Sequence, residues 1–286
     1  MSFIEALQHY DWFFYALVVI IGLIVGSFLN VVIYRLPLMM EKEWREQCTE
    51  FLDLENSKQE VKLNLSVPAS SCPDCGHKIR AWENIPVISY LLLKGKCASC
   101  KTHISAEYPL IETITAILSV GIAYHYGVSW QTLSALFFTW ALISLTMIDF
   151  HKQLLPDNIV FPLLWSGILI NMFGTFVDLE SSVIGAIAGY LVLWSVYHLF
   201  RILTGKEGMG YGDFKLLAAL GAWMGWKMLP LILILSSFVG AAIGIAMIVF
   251  ARHDKNIPIP FGPYLAIAGW IALLWGEAIT TIWLGL

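Results

Sequence analysis

The sequence predicts an all-α polytopic membrane protein of about eight transmembrane helices with one sizeable polar loop. Three observations carry that expectation. The 286 residues are 58% hydrophobic and only 13% charged, with a mean hydropathy of +0.72. The apolar residues gather into runs with few or no charges, several of them near the ~20 residues that a helix needs to cross a bilayer. The basic residues segregate: with eight spans, 16 of the 17 Lys and Arg fall on one side and only Lys227 on the other. The positive-inside rule makes that side cytoplasmic and places both termini outside. The net charge of −4 says little about partners, because the charges are so unevenly placed.

The first segment, residues 1–37, holds the first span. Its apolar run from Phe13 to Tyr34 carries no charge. No Lys or Arg precedes it and no small-residue cleavage site follows, so it reads as a retained span and not as a secretory signal. Gly22 and Gly26 are four apart, a spacing that lets helices pack closely in lipid. Asn30, in Gly26-Ser-Phe-Leu-Asn30-Val-Val-Ile-Tyr-Arg35-Leu-Pro37, wants a partner in the bundle. It could equally orient a catalytic or substrate group.

Residues 38–107 form the only extramembrane segment large enough to fold. Glu41 to Lys62 predicts a surface helix whose Trp44, Phe51 and Leu54 face lipid or protein. Cys72-Pro-Asp-Cys75 and Cys97-Ala-Ser-Cys100 follow, 21 residues apart. Two such knuckles read as a tetrahedral four-thiolate zinc site. Disulfides compete, but a cytoplasmic loop is reducing, and a redox pair needs only one knuckle. Four thiolates leave no open coordination position, so the metal is expected to be structural. His77 and His103 could each replace a thiolate, although four cysteines make that unnecessary. Cys48 is left as a free thiol. Trp82 to Tyr90, followed by Lys94-Gly95-Lys96, could fold over the metal or form a small-molecule site beside the membrane. Periodicity does not decide between them.

Residues 108–286 predict the membrane bundle, with apolar runs at 109–127, 131–148, 158–176, 182–200, 214–228, 230–251 and 261–285. The sixth span of the chain is the shortest, ~15 residues rising ~23 Å against a ~30 Å core. Glu112 lies one turn into the second span. Asp157, just after Pro156, reads as an N-cap. Asp149 ends an uncharged helix, where the helix dipole disfavours an anion. Its presence asks for a reason, although pairing with Lys152 would be a structural one. Gly185 and Gly189, Gly221 and Gly225, and Gly240 and Gly244 read as helix contacts. Ile257-Pro-Ile-Pro-Phe-Gly-Pro263 is stiff enough to fix the start of the last helix, or could line a substrate groove.

Gly210-Tyr211-Gly212-Asp213 sits in a short polar interruption, Thr204 to Lys215, between two apolar runs. Two glycines let another chain approach closely. Asp213 could simply N-cap the next helix, but an acid at the start of a membrane segment usually has a job. Asp149 and Asp213 share the cytoplasmic face. Two carboxylates close together do not comfortably both ionise, so the pair shares a proton. Such a pair can hold a water, one carboxylate acting as base and the other polarising a peptide carbonyl. It titrates as a unit, so neither role is assigned to one residue. Lys152 and Lys215 are expected to point to the headgroups.

These motifs together resemble the type IV prepilin peptidases, members of the G-x-G-D intramembrane aspartyl proteases. The resemblance covers the Gly26–Pro37 entry, the paired C-x-x-C loop, Asp149 through Leu-Pro-Asp157, Gly-Met-Gly-Tyr-Gly-Asp213-Phe-Lys and Pro-Ile-Pro-Phe-Gly-Pro-Tyr. It implies catalytic aspartates at Asp149 and Asp213, and cleavage of prepilin and pseudopilin leaders after a glycine at the cytoplasmic face of the bacterial inner membrane. It also implies N-methylation of the exposed residue with S-adenosylmethionine, an activity associated with the zinc loop. Gly95 and Lys96 are the candidate methyl-donor contacts. Membrane lipid and the pilin precursors are the expected partners, and a nucleic acid is not. A proton-coupled carrier is the rival class, but it predicts acids near the midplane and repeated halves. A membrane scaffold leaves Asp149 unexplained.

Overall fold

The structure is a computed structural model that describes residues 3–53, 63–206, 208–250 and 260–284. Leu54, Lys62, Arg252, Lys255 and Ile257-Pro258-Ile259 lie outside them. The described residues are built from ten α-helices and carry no strand beyond two isolated bridges. The chain forms two compact units, Met1–Val128 and Ser129–Leu286.

In the first unit, α1 (Phe3–His9) leads into α2 (Asp11–Phe51), which packs against α4 (Glu107–Tyr126). A side chain on Gly22 would lie 2.8 Å from the Ala116 Cα, and one on Gly26 would lie 2.7 Å from the Glu112 Cα. The two helices therefore meet backbone to backbone, as the four-residue spacing predicts. The expected break between the first span and a separate surface helix is absent. α2 runs through Pro37 for 41 residues, about 62 Å, twice a bilayer core. Exposed Trp44 and Phe51 are on its outer part. Arg35, although buried, spends its guanidinium on the Asn64 and Leu65 carbonyls at 3.0 and 3.3 Å, which ties the following loop to the helix. Asn30 donates to the Tyr108 carbonyl at 3.1 Å. Its partner is thus backbone at the head of α4, the structural alternative of the two readings.

The second unit contains α5 (Trp130–Lys152), α6 (Asp157–Asn171), α7 (Leu179–Thr204), α8 (Tyr211–Met224), α9 (Leu229–Phe250) and α10 (Gly262–Leu284). Its centre is α8. Every residue from Asp213 to Met224 except Lys215 is buried, beneath α6, α7 and α10. Glycines permit the closest approach: a Cβ on Gly185 would strike the Gly221 carbonyl, and one on Gly189 would lie 2.6 Å from the Leu217 carbonyl. The 14 residues of α8 rise about 21 Å. Neighbouring helices cover it, so it need not match the lipid thickness.

Five helical segments are long and apolar enough to cross a membrane: Asp11–Phe51, Trp130–Lys152, Leu179–Thr204, Trp226–Ala246 and Gly262–Ile282. The other three predicted spans correspond to α4, α6 and α8, of 20, 15 and 14 residues. Length and composition thus support five spans among the described residues; the count of eight is not confirmed.

Asn171, 1% exposed, was not singled out from sequence. Its amide donates to the Ala222 and Trp223 carbonyls at the end of α8, and its oxygen accepts from the Phe176 and Val177 amides. Ser182 adds a bond to Ala222 O at 2.6 Å. Asn171→Leu strands several of these groups inside the unit. The expected loss is about 3 kcal/mol of stability, read as a lowered unfolding midpoint in detergent; an unchanged midpoint would show that water replaces the amide.

Candidate active site

Asp149 occupies the last turn of α5. That helix stops because Gln153 adopts the left-handed conformation (φ 52°, ψ 44°), its N–H closing on the Asp149 carbonyl at 2.8 Å. Leu154 to Pro156 then turn the chain into α6. Asp213 occupies the first turn of α8, entered through extended Gly210 (φ −83°, ψ 153°). Asp149 and Asp213 are each 6% exposed, and Leu155 lies against both Gly262, whose N–H bonds Asp149, and Gly212, beside Asp213. The two acids singled out from sequence, 64 positions apart, are therefore brought together within one unit.

Asp149 Oδ2 accepts the peptide N–H of Gly262 at 3.1 Å, and Gly262 is the first residue of α10. The acid that seemed misplaced at the end of its own helix faces the positive end of another. A Cβ on Gly262 would stand 2.6 Å from that Oδ2 and 3.2 Å from Leu155 Cδ1. Leu155 also fills the space beside Gly212, where a Cβ would come within 2.8 Å of the Leu155 Cβ. The Leu-Pro turn is thus wedged between the start of α8 and the start of α10.

The two glycines before Asp213 differ. At Gly210 the nearest atom to an added Cβ is Asp213 Oδ2 at 3.8 Å, an ordinary contact. Gly210→Ala should therefore leave activity within a few-fold, whereas Gly212→Ala must displace Leu155 and with it the turn that follows Asp149. A loss of about a hundred-fold is expected for Gly212→Ala. Equal effects of the two substitutions in a leader-cleavage assay would contradict this steric account.

Two expectations need correction. Asp157 is the first residue of α6 and its side chain caps nothing; Pro156 holds the cap position. The carboxylate instead takes Lys215 Nζ on both oxygens at 2.8 Å. Lys215 accordingly turns to α6, 5.3 Å from the Phe161 ring centre, and not to a headgroup. A carboxylate two residues after the chain leaves Leu155 offered a closer and better-defined partner than lipid phosphate. Both Asp149 and Asp213 lie at helix ends, which disfavours the carrier reading with its midplane acids.

The four knuckle cysteines converge in the first unit. Their sulfurs lie within 4.8 Å of one another, with Cys72–Cys100 at 3.8 Å and Cys75–Cys97 at 4.0 Å. Zn–S bonds of about 2.3 Å in a tetrahedron require sulfurs about 3.8 Å apart, so the set fits zinc. The two knuckles repeat one design. Cys72 N–H bonds His77 O and Gly76 N–H bonds Cys72 O; Cys97 N–H bonds Thr102 O and Lys101 N–H bonds Cys97 O. Gly76 and Lys101 occupy the same left-handed turn position, at φ 70° and 62°. A hydrogen bond with the Thr102 hydroxyl, and then one with the Thr102 backbone, bring the Cys100 thiol down to about 6. The Cys75 thiol, despite a bond from the His77 peptide, is pushed up to about 11 by desolvation and the other three sulfurs. Four thiolates at this spacing need a cation between them.

His77 is engaged elsewhere, its Nε2 lying 3.1 Å from Glu83 Oε2. Glu83 also accepts the Arg80 N–H, which, with His77, holds its carboxyl below the usual range. Cys48 is exposed on α2, outside the cluster. Gly95, at φ 67°, lies under Tyr90, whose hydroxyl would be 2.9 Å from an added Cβ; Lys96 is exposed.

Glu112 was noted in sequence without a role. It is buried against α2 and accepts the Val87 N–H at 2.7 Å. Val87 is held at φ 60°, ψ −46°, and the next N–H, of Ile88, turns back to the Pro86 carbonyl. This is a three-residue γ-turn of the rare positive-φ kind. No local sequence signal marks it, since β-branched residues avoid that region.

Taken together, a helical membrane bundle with two buried acids at helix ends, joined through Leu155, defines the class. The comparisons give the family. Residues 20–126 match the bacterial peptidase A24 N-terminal domain, and residues 136–245 match the type IV leader peptidase family. A prepilin leader peptidase/N-methyltransferase of Stutzerimonas stutzeri is 55% identical over 284 residues, 99% of this chain and 98% of that protein. One of Aeromonas hydrophila is 55% identical over 282 residues, 98% and 97% of the two chains. One of Legionella pneumophila is 45% identical over 277 residues, 97% and 96%. No solved structure matches significantly. The chain belongs to the type IV leader peptidase family.

Proposed function

We propose that this protein removes the leader peptide of type IV prepilins and pseudopilins after a glycine, with Asp149 and Asp213 as its catalytic pair. It then N-methylates the residue so exposed. The reading rests above all on two buried carboxylates, at the end of α5 and the start of α8. A water held between them loses its proton to one carboxylate as its oxygen adds to the scissile carbonyl. The other, a protonated carboxyl, gives its proton to that carbonyl, and the C–N bond breaks as the amine takes up the proton that the first carboxylate drew from water. The Gly262 N–H keeps Asp149 pointed at this space. Full-length homology to proteins named as prepilin leader peptidase/N-methyltransferases supports the substrate class and both activities.

The reaction belongs at the cytoplasmic face of the bacterial inner membrane, the side to which the basic residues assign both acids. Zinc is the metal proposed for Cys72, Cys75, Cys97 and Cys100, as a structural staple of the loop in residues 38–107. S-adenosylmethionine supplies the methyl group, and Gly95 and Lys96 are the proposed contacts. The exposed Lys96 ammonium suits a donor carboxylate, and Gly95 keeps the turn on which Lys96 stands.

Incubating the purified protein with a synthetic prepilin and labelled S-adenosylmethionine tests the reading, with leader loss and label transfer read separately. Cleavage without Asp149 and Asp213 would remove the dyad. Cys72→Ser with Cys75→Ser should lower bound zinc from about one per chain to near none, and cut methylation more than cleavage, because the loop draws much of its stability from the metal. Unchanged zinc by elemental analysis would reject the site, and Cys48→Ser should leave it unaltered.

A further inference from the structure

α3 (Ile88–Leu92) is amphipathic in the wrong sense for a helix surrounded by water. Its inner face carries Ser89, buried and bonded to the Ile85 carbonyl, and Tyr90, which packs on Gly95 and donates to the Ile104 carbonyl. Its outer face carries Ile88, Leu91 and Leu92, spaced as one helical stripe and 53%, 68% and 73% exposed. Ile85, 43% exposed, extends the stripe by one turn. Exposed apolar patches of this kind mark contact with a partner or a membrane.

A hydrogen bond fixes the level of this stripe. The Glu112–Val87 bond fastens the segment beside the second turn of α4. The outward face of α4 turns apolar at that level, with Leu110, Ile114 and Ile117 at 56%, 39% and 63% exposure. The stripe therefore lies at the level where the exposed surface of its own unit turns apolar. Exposed Lys94 and Lys96 follow it directly, and the stretch from Cys72 to Tyr108 holds five basic against three acidic residues. Apolar side chains bordered by Lys are the composition of a segment lying in a membrane interface.

We propose that Ile85 to Leu92 is an interfacial anchor. Ile85, Ile88, Leu91 and Leu92 enter the acyl-chain boundary of the leaflet beside the metal loop, while Lys94 meets anionic headgroups. The buried Glu112 carboxylate sets the depth by holding the Val87 turn. The anchor binds the loop to the bilayer surface independently of either enzymatic activity.

The test is site-specific photo-crosslinking in the full chain, reconstituted in vesicles of phosphatidylethanolamine and phosphatidylglycerol. A benzophenone amino acid replaces Ile88, Leu91 or Leu92 in turn, with exposed Ser99 at the knuckle tip as the control, and adducts are identified by mass. Lipid adducts at the three stripe positions, at least about five-fold above Ser99, are expected, at unchanged metal content. Glu112→Gln, which keeps the side chain but weakens its hold on Val87, should lower the Leu91 adduct. Adducts to a second copy of the chain, adducts that form only with added prepilin, or yields equal to Ser99 would each overturn the anchor.

Discussion

Asp149→Asn and Asp213→Asn are each expected to lower leader cleavage by about a thousand-fold or more, within the range that general acid–base groups supply. Asparagine is the informative replacement. Asp149 accepts the Gly262 N–H, and the asparagine oxygen can still accept that bond. The substitution removes charge and proton transfer but keeps the cap on α10. Loss of activity at unchanged unfolding temperature would then report chemistry, whereas Asp149→Ala removes both functions together. The two changes combined should cost little more than either alone, because paired groups act as a unit. Methylation of a substrate supplied already cleaved should persist in both variants. Substantial cleavage by either single variant would sink the assignment.

Gly262→Ala carries the second large effect. In an exposed helix the change from Gly to Ala stabilises by about 1 kcal/mol, so propensity predicts a gain. Here the new methyl would stand 2.6 Å from Asp149 Oδ2. The carboxylate or the start of α10 must move by a sizeable fraction of an ångström. A displacement of that order at a reacting group costs about a hundred-fold in rate. The expected result is a fall in kcat for leader removal with KM little changed and zinc content intact. In an Asp149→Asn background the same substitution should add almost nothing, since both act on one carboxylate. Wild-type kcat in Gly262→Ala would show that Asp149 does not need this position.

Much of the molecule was legible along the chain because the signals are local. An apolar run reports its own burial or lipid contact, and each run found its helix. Two C-x-x-C knuckles with turn residues after them carry most of a metal site in their spacing, and the sulfurs converge accordingly. Glycines four apart marked the contacts of α2 with α4 and of α7 with α8, because a missing Cβ matters wherever two backbones meet. Asp149 and Asp213 stood out as acids whose immediate surroundings offered them little.

Tertiary structure decided which groups answer one another. The N–H that holds Asp149 lies 113 residues away, and nothing in a glycine between prolines says which carboxylate it will face. Asp157 looked like a cap from its place after Pro156, yet Lys215, 58 residues on, takes its charge because α6 lies against α8. The Glu112–Val87 bond and the Asn171 network are equally non-local. α8 is about as short as its apolar run predicts and needs no bilayer-long run, because other helices cover it; α2 was misjudged, since it runs on through Pro37 and joins two expected helices. By itself the sequence determined the helices, the metal knuckles and the two acids, since periodicity and spacing act within a few residues. The bond of Asp149 to the start of α10 waited on the fold, because a hydrogen bond depends on separation in space and leaves no period along the chain.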